Sequence, residues 1–486
     1  MNARGITTLL VGMALLGSLA LTSPSQGVGA TTPNRVPVWH APTSLPGVPA
    51  GSSSVYQATC TAPGNCVVVS YWPAWYYPTH VYVSTEMGGR WGRPVIIGAG
   101  LKYFMVNAIS CATIRNCAVT GSYQTSTQIL GFVLSESNGV WSSPVVVTTP
   151  PDFVGLTSSP GLTIACPRIG DCVAGGGTSE AWVMSETNGV WSSPVVLANT
   201  SLNYQPSATE EVSCVEAGEC TFSGIDTGGS GVFTETLSAG HWGSVNQIAN
   251  VVSPVAIAHS EPASVNSISC PSVGSCMLGG DYPIDLPPSG TYIQEPYTAV
   301  EINGVWQAAH EVPGTGTPST TNVGTTSYVR CWDSMRCVAG GIFTVHNLLR
   351  TWVSTYQAGR WSGIVDPSQM RGSITYSDPN EIFCTSPALC VLSSTDTGSG
   401  SNVAYDIING HVPVIAGPVF EDNSWDSHWQ RAQILYPLTR QGLAPWAFVN
   451  AMACSPTGIY CILGGGRATN FTGNEQSQTA FVATFF

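Results

Sequence analysis

The stretch LTIACPRIGDCVAGGGTSEAWVMSETNGVWSSPVVL, residues 162 to 197, contains the pattern from which most of the chain is built. An apolar run ends at Cys166, and Cys172 follows after five residues. Two further apolar runs come next, and an Asn-Gly pair at 188 and 189 separates the second of them from Trp191. Short apolar runs bounded by glycines and Asn-Gly are typical of β-strands joined by tight hairpin turns. The unit therefore predicts four short antiparallel strands.

The cysteines show how often this unit recurs. The chain has 486 residues and 16 cysteines, and the cysteines fall in eight local pairs whose first members are 48 to 70 residues apart. A period near 50 residues is the length of one propeller blade. An even number of regularly paired cysteines predicts disulfides, because the spacing differs from the Cys-x2-Cys of zinc sites. The predicted disulfide pairs are Cys60/Cys66, Cys111/Cys117, Cys166/Cys172, Cys214/Cys220, Cys270/Cys276, Cys331/Cys337, Cys384/Cys390 and Cys454/Cys461.

A tryptophan marks the predicted fourth strand in the first six units. Because one aromatic residue recurs at one strand position, we interpret it as packing between units and not as six ligand sites. The seventh unit has His411 and Val412 at this position. The six tryptophans are Trp91, Trp141, Trp191, Trp242, Trp306 and Trp361.

The two ends of the chain complement each other. Residues 480 to 486 end the eighth unit at its third strand, and residues 35 to 41, RVPVWHA, carry Trp39 where a fourth strand has its tryptophan. If the early strand completes the last sheet, the ring closes and leaves no open edge. We therefore predict an all-β fold, a single eight-bladed β-propeller of four-stranded antiparallel blades over residues 31 to 486.

Two motifs resemble known propeller repeats. Glycines 175 and 176, followed by Trp182 and Trp191 on the next two strands, resemble kelch repeats. The stretches SESNGVW (135 to 141) and SETNGVW (185 to 191) resemble degenerate Asp-box turns of sialidase-type (BNR-repeat) propellers. The resemblance implies the architecture. It carries over no catalytic residue, because Ser137 and Thr187 replace the aspartate of the box and no arginine cluster recurs for a substrate carboxylate.

The composition excludes one class of partner. Charged residues make up 9% of the chain, Lys102 is its only lysine, and the formal net charge is -13. Typical soluble proteins have roughly 25% charged residues. A nucleic-acid-binding protein needs a basic face to neutralise phosphates, and no basic cluster exists in this sequence. We therefore exclude nucleic acid as a partner.

The N-terminus predicts export. Arg4 precedes the apolar run of residues 6 to 21, and Val-Gly-Ala at 28 to 30 offers a small-residue cleavage site, so residues 1 to 30 are typical of a signal peptide. The run is shorter than the ~20 apolar residues that cross a bilayer. We expect a mature chain without a membrane span, secreted or extracellular, associated with the cell wall, and monomeric.

Two segments depart from the repeat and are rich in aromatic residues, residues 71 to 80 and residues 421 to 429. In a closed ring, blades 7, 8 and 1 are neighbours, so we predict that these segments meet over one sector of the loop face. Aromatic rings beside carboxylates suit sugars. The alternative is that they only plug the channel mouth. The predicted ligand-binding residues are Trp72, Trp75, Tyr76, Tyr77, Asp422, Trp425, Asp426 and Trp429.

Three functional hypotheses follow. The favoured one is a non-catalytic protein that binds a glycan or a cell-surface protein. A glycoside hydrolase or lyase of sialidase-like type is the alternative, which requires two suitably separated carboxylates, for example among Glu421, Asp422 and Asp426. A structural protein of the cell envelope is the third. The sequence contains no Gly-x-Ser-x-Gly elbow and no His-Glu-x-x-His motif, and we expect no metal or other cofactor.

Overall fold

The computed structural model of this protein describes most of the chain after residue 39, and all of its regular elements are β-strands. None of the described residues forms a helix that is long and apolar enough to cross a membrane. Residues 1 to 30 and Trp39 lie outside the described part. The described ranges are 40–73, 78–126, 129–147, 161–177, 180–201, 211–226, 231–251, 263–286, 291–315, 324–345, 348–364, 377–386, 389–396, 412–416, 418–419, 428–429, 433–434, 446–456, 460–468 and 478–486.

Within these ranges the strands form eight antiparallel sheets of four or five strands, here called sheets 1 to 8, and one two-stranded pair. In sheets 1 to 5 two short segments share the fourth-strand position, because both pair with the third strand. Sheets 1 to 3 comprise Ser54–Ala62, Asn65–Trp72, His80–Met87, Arg90–Trp91 and Val95–Ile97; Lys102–Thr113, Asn116–Gln124, Ile129–Ser137, Val140–Trp141 and Val145–Val146; and Gly161–Arg168, Asp171–Gly177, Glu180–Thr187, Val190–Trp191 and Val195–Ser201.

The remaining sheets follow the same strand order, except that sheet 8 takes its fourth strand from the beginning of the chain. Sheets 4 to 6 comprise Glu211–Glu216, Glu219–Asp226, Gly231–Ser238, His241–Trp242 and Asn246–Gln247; Ser267–Ser272, Ser275–Leu286, Thr291–Ile302, Val305–Trp306 and His310–Glu311; and Gly324–Asp333, Arg336–Val345, Leu348–Gln357 and Arg360–Trp361. Sheet 7 comprises Ser377–Ser386, Leu389–Asp396, Val412–Ala416 and Gln433–Ile434, and sheet 8 comprises Trp446–Cys454, Cys461–Ala468, Gln478–Phe485 and Thr43–Ser44.

The sheets are arranged around their first strands. The first strand of each sheet contacts the first strand of the next sheet, and Trp446–Cys454 of sheet 8 contacts Ser54–Ala62 of sheet 1. Sheets that stack face to face around a common set of inner strands are consistent with a β-propeller.

Apolar clusters between neighbouring sheets hold the fold together. Each of the six repeated tryptophans packs against such a cluster, which confirms their interpretation as core residues. A fully buried aromatic or aliphatic side chain contributes ~1.5–3 kcal/mol. Close approach of the sheets also explains a glycine of the repeat, because a Cβ atom on Gly175 of sheet 3 would lie 2.3 Å from the Phe222 ring of sheet 4.

Seven of the eight predicted disulfides are present among the described side chains, and each joins the first strand of a sheet to the second across their hairpin turn. In sheet 7 the backbones of Cys384 and Cys390 face each other in register, and their side chains lie outside the described part. The local pairing inferred from the spacing is therefore confirmed for seven sheets. The seven bridges are Cys60–Cys66, Cys111–Cys117, Cys166–Cys172, Cys214–Cys220, Cys270–Cys276, Cys331–Cys337 and Cys454–Cys461.

The disulfides also belong to the core. The sequence predicted only that each pair ties one hairpin across its turn, and not that its sulfur atoms are buried between sheets. In each of the seven sheets the second cysteine is buried, because it lies on the second strand between two neighbouring sheets. The bridges therefore pack as apolar groups between sheets, and none of these sulfur atoms serves as an exposed functional site. The buried second cysteines are Cys66, Cys117, Cys172, Cys220, Cys276, Cys337 and Cys461.

Each cysteine turn, the hairpin turn between the first and second strands that a disulfide spans, lies beside the turn between the third and fourth strands. In sheets 1 to 6 a backbone N–H of the turn between the third and fourth strands donates to a carbonyl of the cysteine turn at 2.8 to 3.3 Å, as Gly189 donates to Gly170. Asn188 and Gly189 have φ of 52° and 80°, the positive values that a tight hairpin turn requires. We call this edge of the sheets the turn edge. The opposite edge, where the second strand leads to the third, is the loop edge.

Two details of the chain differ from the sequence-based prediction. The strand that pairs with Gln478–Phe485 is Thr43–Ser44, a few residues after the predicted segment 35 to 41, although His40 already donates its N–H to the Thr484 carbonyl at 2.7 Å. In sheet 7, Val412 begins the third strand and not the fourth, because it pairs with Asp396 of the second strand. The fourth-strand position there is taken by Gln433–Ile434.

Candidate functional site

Trp72 lies at the loop edge of sheet 1, at the end of the second strand. Its indole Nε1 donates to the Gly51 carbonyl at 2.8 Å, and the half-buried ring lies with its centroid 5.6 Å from that of His80. His80 opens the third strand, its Nδ1 is 3.0 Å from Thr79 Oγ1, and its ring stacks near Tyr82 at 6.1 Å. The hydrogen bond fixes the indole, so that Trp72 and His80 form an ordered aromatic pair at this edge.

The side chains of the other predicted ligand-binding residues lie outside the described part of the chain. Trp75, Tyr76, Tyr77, Asp422, Trp425 and Asp426 lie outside the described residues, and only the backbone of Trp429 is described. That backbone pairs with Pro418–Val419 in a two-stranded ladder between the third and fourth strands of sheet 7. In sheets 1 to 6 this connection lies at the turn edge, so the described strands do not bring Trp429 beside Trp72.

A buried acidic group also occurs in sheet 5. Asp281 accepts hydrogen bonds from Ser264 Oγ at 2.5 Å and Asn266 Nδ2 at 3.2 Å, and Asn266 also donates to Thr325 Oγ1 of sheet 6 at 2.9 Å. Burial raises the Asp281 pKa, and these hydrogen bonds oppose the rise. Because these hydrogen bonds tie sheet 5 to sheet 6, we assign Asp281 a structural role.

Glutamates recur at the interfaces between sheets. Four of them, near the end of the third strand, face the tryptophan of the fourth strand in register, as Glu136 faces Trp141 and Glu186 faces Trp191. A fifth, Glu235, lies two residues earlier in sheet 4, where Leu237 takes the position opposite Trp242. All are at least nine-tenths buried. The set is Glu86, Glu136, Glu186, Glu235 and Glu301.

Burial raises the pKa of each of these carboxyl groups, because the charged form loses its hydration. The pKa of Glu136 rises to about 7 even though the Arg115 guanidinium favours its charged form, and the pKa of Glu235 also rises to about 7. For Glu186 the hydrogen bond from Ser135 opposes the rise, and the Asp171 carboxylate adds to it. Glu136 and Glu235 therefore hold protons at weakly acidic pH.

At the interface of sheets 2 and 3, a serine hydroxyl of sheet 2 forms hydrogen bonds with both the glutamate and the tryptophan of sheet 3. Ser135 Oγ donates to Glu186 Oε1 at 2.7 Å and accepts from Trp191 Nε1 at 2.9 Å. Tyr460 of sheet 8 similarly donates to Glu86 Oε1 of sheet 1 at 2.6 Å. In both cases the hydrogen bond joins two separate sheets, so it fixes their spacing as well as satisfying a buried carboxyl group.

The interface of sheets 1 and 2 lacks this hydroxyl bridge. Thr85 occupies the position of Ser135, since each accepts the equivalent backbone hydrogen bond from the fourth strand. Within the described part of the chain, Glu136 Oε2 and Trp141 Nε1 have no hydrogen-bond partner. Within the described chain, Glu301 Oε2 and Trp306 Nε1 of sheet 5 also have no hydrogen-bond partner, and in sheet 4 the position of Ser135 is taken by Thr236.

A cavity of about 250 Å³ opens beside the Ser135–Glu186 bridge, at the turn edge between sheets 2 and 3. Its walls include Ser137, Ile169 and Arg168. Arg168 forms an ion pair with Asp171 at 2.6 Å, and its side chain is 68% exposed. Glu136 also borders the cavity, but side chains alternate along a strand and Ser135 points to sheet 3, so the Glu136 carboxyl group points to sheet 1.

Sequence reasoning missed these glutamates. The signal was present, because Glu136 and Glu186 stand five residues before their tryptophans in both quoted repeats. Glu136 is also in phase with Phe132 and Leu134, and a period of two places all three on one buried face. In both repeats the glutamate directly precedes Ser137 or Thr187, the residue that replaces the aspartate of the Asp box.

Among the described residues, no group of three or more His, Cys, Asp or Glu side chains is arranged to hold a metal ion. The site chemistry described above consists of carboxyl groups, hydroxyl groups, indoles and one rim guanidinium.

No protein-family model and no curated protein matches this sequence. Solved structures resemble it in part. An ulvan lyase of polysaccharide lyase family PL25 is 10% identical, with 91% of this chain and 93% of that chain covered and a TM-score of 0.45. Polysaccharide lyase Uly1 is 9% identical, with 94% of each chain covered and a TM-score of 0.43. The six-bladed fucose lectin of Aleuria aurantia is 13% identical, with 65% and 95% covered and a TM-score of 0.31. Likenesses this distant carry no argument for the function of this chain.

Proposed function

We propose that this chain is a secreted, non-catalytic β-propeller of eight blades that binds a neutral glycan or another surface partner through its loop edge. Eight sheets with mutually contacting first strands support the blade number, and the pairing of Thr43–Ser44 with Gln478–Phe485 supports closure by the N-terminal segment. The disulfides support an oxidising location outside the cytoplasm, in keeping with the export signal in residues 1 to 30.

The observation that carries the proposal is the ordered aromatic pair at the loop edge of sheet 1. The Nε1–H of Trp72 is already bonded to the Gly51 carbonyl, so the indole contributes its apolar face and His80 contributes a ring nitrogen nearby. An apolar ring face beside a polar group suits the two-sided chemistry of a sugar, which stacks through its C–H face and hydrogen-bonds through its hydroxyl groups.

The charge of the chain selects the class of glycan. With a formal net charge of -13 and a single lysine, the protein repels anionic polymers at neutral pH. Sulfated or uronic-acid polysaccharides would also need guanidinium or ammonium partners. We therefore propose that the ligand is an uncharged polysaccharide.

The two aromatic segments are separate candidate sites. In the sequence, Trp75, Tyr76 and Tyr77 follow Trp72 between the second and third strands of sheet 1, and Asp422, Trp425, Asp426 and Trp429 stand between the third and fourth strands of sheet 7. The first segment is the favoured binding site, because an ordered Trp72–His80 pair supports it.

Binding to immobilised neutral and anionic polysaccharides tests the proposal with four variants: Trp72→Ala, Trp425→Ala, the double variant, and Trp332→Ala as the control. Trp332 is half-buried like Trp72 but follows Cys331 at the turn edge. We expect saturable binding to a neutral polysaccharide, a loss of about tenfold or more in Trp72→Ala because stacking on an aromatic side chain contributes ~1–3 kcal/mol, and no change in Trp332→Ala.

Three outcomes count against parts of this proposal. Unchanged binding in Trp72→Ala together with a loss in Trp425→Ala moves the site to the insertion in sheet 7. Binding that is stronger to anionic polysaccharides contradicts the neutral class. Release of new reducing or unsaturated ends during the assay, abolished in Asp426→Asn, supports the hydrolase or lyase alternative instead.

A further inference from the structure

We propose that the cavity at the turn edge between sheets 2 and 3 is a second binding site, which takes a single uncharged sugar ring or a polyol of similar size. The site is distinct from the aromatic segment at the loop edge, because the two lie on opposite edges of the sheets. Its polar groups come from both sheets: Ser135, Ser137 and Ser142 from sheet 2, and Arg168 and Glu186 from sheet 3.

The volume of the cavity limits the size of the ligand. At about 250 Å³ it is smaller than the ~300–1,000 Å³ of pockets for drug-sized molecules, and it opens to solvent at its rim. One six-membered ring with its hydroxyl groups is of suitable size. An oligosaccharide would have to continue outward from the rim, past the exposed side chains of Val140 and Ile169.

The lining favours a neutral ligand. The single guanidinium at the rim, that of Arg168, is already paired with Asp171, which leaves no free cation for a carboxylate or phosphate ligand among the described lining residues. The buried carboxyl group of Glu186 disfavours anions further, whereas the Arg168 charge disfavours a cationic amine at the mouth. The Ser137 hydroxyl and the outer N–H groups of Arg168 are the donors and acceptors offered to neutral hydroxyl groups, because Ser135, Ser142 and Asn116 already bond to protein groups.

The floor and rim of the cavity are held in place by contacts that do not depend on a ligand. The Ser135–Glu186–Trp191 bridge fixes the floor, and Asp171 holds Arg168 while its other oxygen accepts the Asn188 N–H at 3.2 Å. Val140 is 72% exposed and Ile169 is 51% exposed, so apolar side chains border the mouth and offer a surface for the C–H face of a sugar.

Titration calorimetry and ligand-observed NMR on the full mature chain test this site with glucose, galactose, mannose, fucose and inositol as neutral probes, and with glucuronate and glucosamine as charged ones. The blocking variant is Ser137→Phe, and its matched control is Thr187→Phe at the same position one sheet further on. Arg168→Ala tests the rim, and its control is Arg336→Ala, which removes the other described ion pair within a cysteine turn.

We expect saturable binding of at least one neutral probe, its abolition in Ser137→Phe, and a weakening of about tenfold in Arg168→Ala, since that variant removes the charged hydrogen-bond donors at the rim. Both controls should bind as the parent does. Absence of saturable binding by every neutral probe, preference for a charged probe, or binding unaffected by Ser137→Phe overturns the proposal. In the Trp72→Ala background, binding that Ser137→Phe abolishes belongs to this cavity, whereas binding that Trp72→Ala alone removes belongs to the loop-edge site, so failure of the two sites is distinguishable.

Discussion

The interface of sheets 2 and 3 and the interface of sheets 1 and 2 share one repeat and differ at the position that faces the buried glutamate from the preceding sheet. In the first, the hydroxyl of Ser135 satisfies both Glu186 and Trp191. In the second, Thr85 occupies the serine position, and Glu136 Oε2 and Trp141 Nε1 lack partners within the described chain. Where the repeat places a glutamate opposite the tryptophan, a residue of the preceding sheet therefore decides whether the pair has a hydrogen-bond partner.

We attribute the difference to the branched side chain of threonine. Its methyl and hydroxyl groups share the Cβ atom, and χ1 is restricted in β-branched residues, so the hydroxyl cannot adopt every orientation open to serine. Thr236 before Glu301 and Trp306 repeats the observation at the interface of sheets 4 and 5. Three predictions test this comparison.

The largest expected effect is on the pH dependence of stability. Folding raises the Glu136 pKa from 4.5 to about 7, so the folded chain retains a proton that the unfolded chain has lost. The resulting stabilisation is complete below the unfolded pKa and is lost as the pH rises through the folded value; for Glu136 it corresponds to at most about 3 kcal/mol. We expect the thermal unfolding midpoint to fall between pH 5 and pH 8.

The comparison of the two interfaces sharpens this test. Glu136→Gln should flatten the pH dependence more than Glu186→Gln does, because the Ser135 hydrogen bond opposes the rise of the Glu186 pKa. Differential scanning calorimetry across this pH range on the parent and both variants gives the answer. A thermal unfolding midpoint that rises with pH would contradict the raised Glu136 pKa. So would a midpoint that depends on pH equally steeply in the parent and in Glu136→Gln.

The second effect is the loss of the existing bridge. Ser135→Ala leaves Glu186 Oε1 and Trp191 Nε1 without their partner, and we expect a loss of about 2 kcal/mol in the free energy of unfolding, because buried unsatisfied groups are costly. Urea unfolding monitored by tryptophan fluorescence measures it. Ser185→Ala is the matched control, since Leu237 of sheet 4 takes the place of the glutamate, and its effect should stay within ~0.5 kcal/mol.

The smallest effect is the creation of a new bridge. Thr85→Ser should let the hydroxyl reach Glu136 and Trp141 and stabilise the protein by about 0.5–1 kcal/mol, the net contribution of an ordinary hydrogen bond. Thr236→Ser is an independent repeat of the experiment at sheets 4 and 5. The reverse change, Ser135→Thr, should destabilise; if it unfolds at the same urea concentration as the parent, the account based on threonine is wrong.

Much of the fold was predictable because its determinants are local. Each cysteine pair closes one hairpin, as Cys166 and Cys172 do, and each Asn-Gly pair specifies a turn with positive φ, as Asn188 and Gly189 do. Sheet 7 shows the limit. Its unit contains an insertion between Val412–Ala416 and Gln433–Ile434, and a count of residues from the neighbouring units placed Val412 in the wrong strand.

The candidate sites were less predictable, because they depend on contacts between units. Trp72 was identifiable as an aromatic residue outside the repeat, and the structure adds its bond to Gly51 and its contact with His80. The cavity beside Ser135 and Glu186 could not be inferred from either unit alone, since sheet 2 supplies one wall and sheet 3 the other. Only the relative placement of two sheets creates it.

The pairing of Thr43–Ser44 with Gln478–Phe485 has a consequence for biosynthesis. During translation the early strand has no partner until hundreds of later residues have been made, so sheet 8 is the last sheet that can be completed. Until then the edges of Gln478–Phe485 and of the early segment are open to other chains, and exposed strand edges promote aggregation. We therefore expect the yield of native protein to depend on keeping these two edges away from other chains until the two strands pair.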